Sequence, residues 1–250
     1  MFRQKLKQLR EKNRSREFKN SRKRPLRVAF IGIDSSGKSS ISRKVAREYE
    51  KEYGEKAGYL KLGSYSNSGK VARKAGKVFD AIGRIPSEKT AFESLKNTFY
   101  YLSFPVIKIM EEKGKDIMVN DRYPRLDLEL FKEIHNNKKR TKVLYPLLKT
   151  LSGTAYPDIV VIPRRKPEEA MKDISKRKGV KDKHENIADL RKMDKALDSL
   201  IKDLENKGVK VIEIDVDKLI KRHGKGEVSS EKAAELVKKK VDELLEKEFK

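Results

Sequence analysis

In Arg27-Val28-Ala29-Phe30-Ile31-Gly32-Ile33-Asp34-Ser35-Ser36-Gly37-Lys38-Ser39-Ser40 an apolar, β-branched run breaks into a glycine-bracketed polar loop and then into a helical pattern. Gly32 to Ser39 fits G-x-x-x-x-G-K-[ST], the phosphate-binding P-loop. That motif needs a buried strand before it and a helix after it. Val28 to Ile31 reads as a strand covered on both faces. Beyond Lys38, the apolar positions Ile41, Val45, Ala46, Tyr49 and Tyr53 share one helical face, and Gly54 supplies a left-handed stop. Glycines let the backbone curl so that successive N–H groups converge on one anion, and the helix N-terminus adds about half a positive charge there. The spacing predicts a nucleoside-triphosphate site made of Gly32, Ile33, Asp34, Ser35, Ser36, Gly37, Lys38, Ser39 and Ser40. Lys38 would reach the β and γ phosphates, and the Ser39 hydroxyl would ligate Mg²⁺.

With 250 residues, one α/β domain of common size is expected. Charged residues make up 40% of the chain, yet apolar periodicity persists after Pro25, which points to a folded protein with a highly charged surface. The absence of cysteine excludes disulfides, thiolate zinc sites and Cys nucleophiles, and it suits a reducing compartment. No apolar run approaches a membrane span, and no apolar segment follows the basic start as in a secretory signal, so the cytoplasm is expected. Net charge is +24. Residues 1–25 carry eleven Lys and Arg against Glu11 and Glu17, which marks them as a basic mobile arm, either a solvated tail or a weak tether for nucleic acid. A Lys- and Glu-rich surface also suits heat adaptation, which needs no anionic partner.

Strand and helix patterns alternate along the rest of the chain. Ala57 to Leu62 reads as a second strand, followed by a polar loop at Gly63 to Gly69, where substrates bind in such sheets. A helix from Ser87 carries Phe99, Tyr100, Tyr101, Leu102 and Phe104, either as core or as a wall on which a substrate stacks. Asp116 to Asn120 makes a third strand ending in Asp121-Arg122-Tyr123-Pro124. A carboxylate at that strand tip, beside a P-loop, is where a second Mg²⁺ anchor is needed, and Arg122 offers a fork for a phosphate. Ile159 to Ile162 is a fourth strand, and Pro167, Glu168 and Glu169 open a helix. Lys176 to Glu185 is a basic, glycine-containing excursion, read either as a solvated loop or as a lid. A long helix spans Ile187 to about Glu205. Val209 to Asp215 is a fifth strand, and Ser229 or Ser230 caps a terminal amphipathic helix. His135, His184 and His223 lack ligand spacing, so no His-bound metal is expected. The architecture is a three-layer, doubly wound α/β fold with a mostly parallel five-stranded sheet.

Four signals in this order resemble the thymidylate kinase branch of the nucleoside-monophosphate kinases. They are the P-loop with its acidic Asp34, Asp121-Arg122-Tyr123 as the D-R-Y/F motif, Pro157-Asp158 before a strand with Pro167-Glu168-Glu169-Ala170 after it, and Asp182-Lys183-His184-Glu185 as the lid's D-R-x-E. The resemblance covers residues from about Arg27 onward. It implies sheet order 2-3-1-4-5, a kinase domain over 26–250 with a lid around 175–187, and ATP with Mg²⁺ held by Ser39 and Asp121. It also implies Lys38, Arg122, Arg177 and Lys183 as catalytic cations, and an acceptor site that includes Asp34, Arg122, Tyr123 and Tyr100. The chain departs from the family at Gly63-Ser64-Tyr65, Phe99-Tyr100-Tyr101, Ile162-Pro163-Arg164 and Lys183, which leaves the acceptor open. Phosphoryl transfer from ATP to a nucleoside monophosphate or similar small phosphorylated acceptor is therefore expected. A homodimer is compatible with this. The alternative from another class is a nucleic-acid-associated P-loop protein or polynucleotide 5′-kinase. A degenerate kinase fold kept as an interaction module fits less well, because every P-loop position is intact.

Overall fold

The computed structural model describes residues 24–61, 112–134, 145, 146, 149, 155–176 and 186–247. Their strands are β1 (Leu26–Phe30), β2 (Ala57–Lys61), β3 (Ile117–Asp121), β4 (Ile159–Arg164) and β5 (Lys210–Asp215). The helices are α1 (Lys38–Tyr53), α2 (Pro124–Ile134), α3 (Pro167–Lys176), α4 (Ile187–Asn206), α5 (Val216–His223) and α6 (Glu227–Lys247). All four strand pairings are parallel, and the order is β2-β3-β1-β4-β5, as expected.

The central strands β1 and β3 are buried along their whole length because helices cover both faces of the sheet. Alternation along each strand then builds two cores. Val28, Phe30, Val119 and Val161 pack with Val45 and Tyr49 of α1 and with Val237 and Val241 of α6. Ala29, Ile31, Met118 and Ile162 pack on the other face with Leu126 of α2, Ile174 of α3 and Leu197 and Leu200 of α4. The predicted stripe of α1 is the one it buries. At the N-terminal end of the sheet, Arg24 forks onto Asp158 at 3.1 and 2.9 Å, and the Arg27 N–H donates to the same carboxylate at 2.8 Å. Arg24, assigned to the arm by its charge, is thus tied to the folded part.

Several boundaries differ from the sequence reading. Gly54 ends α1 at φ 57° and ψ −136°, a turn only glycine adopts freely, and the chain passes into a short 3₁₀ turn instead of a left-handed cap. β4 runs on to Arg164 and includes Pro163. β1 leaves the ladder after Phe30↔Val161, so no strand residue there waits for the N–H that proline lacks. Asp215 ends β5 and also caps α5, its side chain accepting from the Lys218 N–H at 2.8 Å. α6 begins at Glu227, so Ser229 and Ser230 lie inside its first turn. Their hydroxyls donate to Gly226 O and Glu227 O, at 3.0 and 2.8 Å, instead of capping.

The two-layer burial makes a direct prediction. Leu200→Ala, 1% exposed in the α4 core, should cost about 2–5 kcal/mol in urea unfolding, whereas exposed Lys202→Ala should stay within about 0.5 kcal/mol.

Candidate active site at the strand tips

The loop after β1 folds as the motif requires. Ile31 N–H donates to Val161 O at 3.1 Å, which carries the chain past the end of β1, and Ile41 N–H donates to Gly37 O at 2.9 Å, which starts α1. A side chain at Gly32 would lie 3.2 Å from Pro163 O and 3.0 Å from Ser36 Oγ, so the close approach of loop and β4 needs glycine. Gly37 sits at φ 86° and Ser35 at φ 63°. Lys38 is buried, and its ammonium donates to Gly32 O at 2.8 Å and to Ile33 O at 2.6 Å. Ser39 is half-buried and Ser40 exposed.

The D-R-Y segment comes beside this loop because β3 is the neighbour of β1. The register Phe30↔Asp121 puts both strand tips at one level. Arg122 donates its backbone N–H to Phe30 O at 3.2 Å and adopts φ 75°, a conformation strained for any residue with a Cβ. Its guanidinium lies 3.5 Å from Asp34 Oδ1, and the Lys38 ammonium lies 3.8 Å from the same atom. Asp34 therefore stands between two cations. Burial lowers the Lys38 pKa to about 8 against the pull of Asp34, and the charge of Arg122 adds to the fall.

Asp121 is almost wholly buried. Its Oδ2 accepts from the Tyr59 hydroxyl at 3.3 Å, while Oδ1 has no hydrogen-bond partner among the described residues. A buried carboxylate oxygen without a partner is costly, so this atom fits a ligand that supplies positive charge or a donor. Mg²⁺ suits it: that ion needs only one or two protein oxygens beside phosphates and water, and Asp121 with Ser39 would hold it. Among the described residues no group of three or more His, Asp or Glu forms a metal cluster, and none is needed for Mg²⁺ held in this way.

Asp127, in the first turn of α2, is a site residue that the motif reading missed. Burial raises its carboxyl above the usual range, Arg122 and Lys38 draw it back, and Asp121 and Asp34 push it further up. Its spacing in D-R-Y-x-x-x-D was the available signal. Tyr123 is placed differently from the expectation for an acceptor contact: it is fully buried and donates to Ala155 O at 2.8 Å, so the main chain turns it into the core beneath Arg122. Arg164, where the chain departs from the family pattern, forks onto Glu213 at 2.6 Å, Asp194 at 3.0 Å and Asp198, tying β5 to α4. Tyr100, Arg177 and Lys183, with the loop after Lys61 and residues 177–185 of the expected lid, lie outside the described residues.

Asp127 yields a stability prediction whose sign follows from its raised pKa. The folded state disfavours the ionised carboxyl, so wild-type stability falls as pH rises through the carboxylate range. Asp127→Asn should therefore raise Tm at pH 7, and the gain should shrink toward pH 4, where the carboxyl is increasingly protonated. A gain independent of pH would contradict this account of the cluster.

No protein-family model matches this chain, and no curated protein matches it in sequence. Solved structures do match. A deoxyadenosine kinase from M. mycoides, with dCMP and a flexible dCDP bound as products, superposes with TM-score 0.57 at 15% identity, over 87% of this chain and 99% of its own. The same enzyme with dATP bound gives TM-score 0.55 at 14% identity over the same shares. A thymidylate kinase from Ehrlichia chaffeensis gives a TM-score of 0.46 at 14% identity, over 76% of this chain and 86% of its own. At this identity the likeness is one of architecture: the chain shares the three-layer, doubly wound α/β fold of the M. mycoides enzyme.

Proposed function

We propose that residues 26–250 form a kinase unit that transfers a phosphoryl group from ATP to a nucleoside monophosphate or similar small phosphorylated acceptor. The observation that carries this reading is the convergence of Lys38, Asp34, Arg122, Asp121 and Asp127 at the tips of β1 and β3, with one buried Asp121 oxygen left without a partner among the described residues. Backbone N–H groups from Gly32 to Ser40 cradle the phosphates. Lys38 exchanges the carbonyls of Gly32 and Ile33 for oxygens of the β and γ phosphates. Ser39 and Asp121 hold Mg²⁺, which when bound neutralises charge on the phosphate chain. Arg122 presents its fork to the acceptor phosphate, and Asp34 keeps that guanidinium over the loop. An anionic acceptor needs no general base, so positioning and charge stabilisation carry the reaction.

A second acceptor class is favoured by one observation. Asp127 is a carboxylate with raised proton affinity beside the phosphate site, which suits accepting a proton from a neutral 5′-hydroxyl. Nucleosides and oligonucleotide 5′ ends carry such a group, and the M. mycoides enzyme whose fold this chain shares is a deoxyadenosine kinase. Nucleic-acid binding by residues 1–25 is a separate proposal that rests on their charge alone.

ATP affinity should track the charge of Lys38, whose pKa is about 8. Dissociation constants of a fluorescent ATP analogue should be flat in pH below that value and weaken above it by up to about tenfold per unit as the ammonium is lost. Lys38→Arg, charged throughout, should flatten the profile. A flat wild-type profile to pH 9.5 would remove Lys38 from the phosphate site. Asp121→Asn should raise the Mg²⁺ concentration needed for half-maximal turnover roughly tenfold or more, in line with loss of one charged contact. An unchanged Mg²⁺ dependence would place the metal anchor elsewhere.

A further inference from the structure

Arg165 immediately follows β4, and its side chain is only 7% exposed. Three parts of the fold meet on it. Nη1 donates to Ser35 O in the phosphate-binding loop at 2.7 Å and lies 2.5 Å from Asp173 Oδ2 of α3. Nε donates to Asp217 Oδ1, in the first turn of α5, at 3.3 Å. Both carboxylates are themselves held, Asp173 by the Lys225 ammonium and Asp217 by the Lys166 backbone N–H at 2.8 Å.

The residue whose carbonyl is gripped is the strained one. Ser35 stands at φ 63°, a conformation costly for any side chain but glycine, so something outside the loop must hold it. In a trans peptide the C=O and N–H of one unit point in opposite directions. With Ser35 O held by Arg165, the Ser36 N–H of the same unit points the other way, into the loop, where it donates to Ile33 O at 3.3 Å, a bond that phosphate binding would replace.

We propose that Arg165 is a positioning residue of the phosphate-binding loop: it holds the Ser35–Ser36 peptide in the orientation that presents the Ser36 N–H to phosphate. The inference rests on reading that loop as a triphosphate site. Two carboxylates answer the guanidinium's charge within the network, so Arg165 acts through the loop backbone and not as a phosphate ligand. Its anchors on α3 and α5 make the loop's shape depend on how those helices sit on the sheet.

The test is calorimetric binding of inorganic triphosphate and of ATP, well below Tm, to the full chain. Wild type is compared with Arg165→Met and Arg165→Lys, each with and without Ser35→Gly. Arg165→Met should weaken both ligands about tenfold, as expected for loss of one charge-assisted hydrogen bond that orders the site. Ser35→Gly keeps the backbone N–H of the loop, and its own affinity is the reference for the double variant. In the Arg165→Met background it should restore most of the affinity, because glycine adopts the loop conformation unaided, while the lowered Tm stays low. A merely structural arginine predicts that Tm and affinity move together and that Ser35→Gly rescues neither. Where Arg165→Met does not fold, Arg165→Lys carries the same comparison, since it keeps a charge for Asp173 and Asp217 but shortens the reach to Ser35. Wild-type binding matched by folded Arg165 variants overturns the inference alone. Failure of wild type to bind either ligand overturns the triphosphate reading and the inference with it.

Discussion

A buried ammonium governs this structure. Lys38 lies in a turn of the chain where water can do little to solvate its charge, and the protein answers with two backbone carbonyls and with the charges of Asp34, Asp121 and Asp127. Burying a charge is unfavourable even when it is hydrogen-bonded, and the depressed pKa of Lys38 records what remains of that penalty. Asp127 records it from the other side, since its carboxyl is raised by burial and by the charges of Asp121 and Asp34. A fold selected for stability alone would fill this place with apolar side chains. Keeping such a cluster makes sense where an incoming polyanion and a divalent cation complete it.

The sheet topology is what brings these groups together. In a doubly wound sheet the strand order reverses next to β1, and ligands bind outside the carboxyl ends of the strands at that point. Here β3 and β4 flank β1, so Asp121 arrives beside the loop from one side and Arg165 from the other. The strain is concentrated there too. Ser35 and Arg122 are the described non-glycine residues with positive φ, and both lie within this cluster. Ordinary helix packing elsewhere, with two separate cores on the faces of the sheet, supplies the stability against which that strain is held.

What the amino-acid sequence disclosed was local. The buried strands show as short β-branched runs, α1 as a stripe of period 3.6, and the phosphate loop as glycines at fixed spacing, because each signal lies within a few residues. Strand order followed from the resemblance of motif order. The remainder depended on contacts between distant segments. Asp127 looks like an ordinary acidic residue in a helix's first turn, and only the pairing of β1 with β3 sets it against Lys38. Arg164 and Arg165 look alike in a basic run. The structure sends the first to α4 and β5 and the second to the loop and α5. Helix α5 went unread because Asp215 serves as the last strand residue and the helix cap at once. Ser229 and Ser230 carried a cap signature, but the helix begins before them at Glu227 and their hydroxyls turn back onto Gly226 O and Glu227 O.

The central claim is that the strand-tip cluster is a site of phosphoryl transfer from ATP. It is met most directly by following ADP release from ATP and Mg²⁺ in the presence of nucleoside monophosphates, nucleosides and 5′-hydroxyl oligonucleotides, each tested separately. The account predicts ADP release that depends on a nucleotide or nucleoside acceptor and yields the matching phosphorylated product. No acceptor-dependent release with any of the three classes would contradict it, and turnover with oligonucleotides alone would move the reaction to polynucleotide ends.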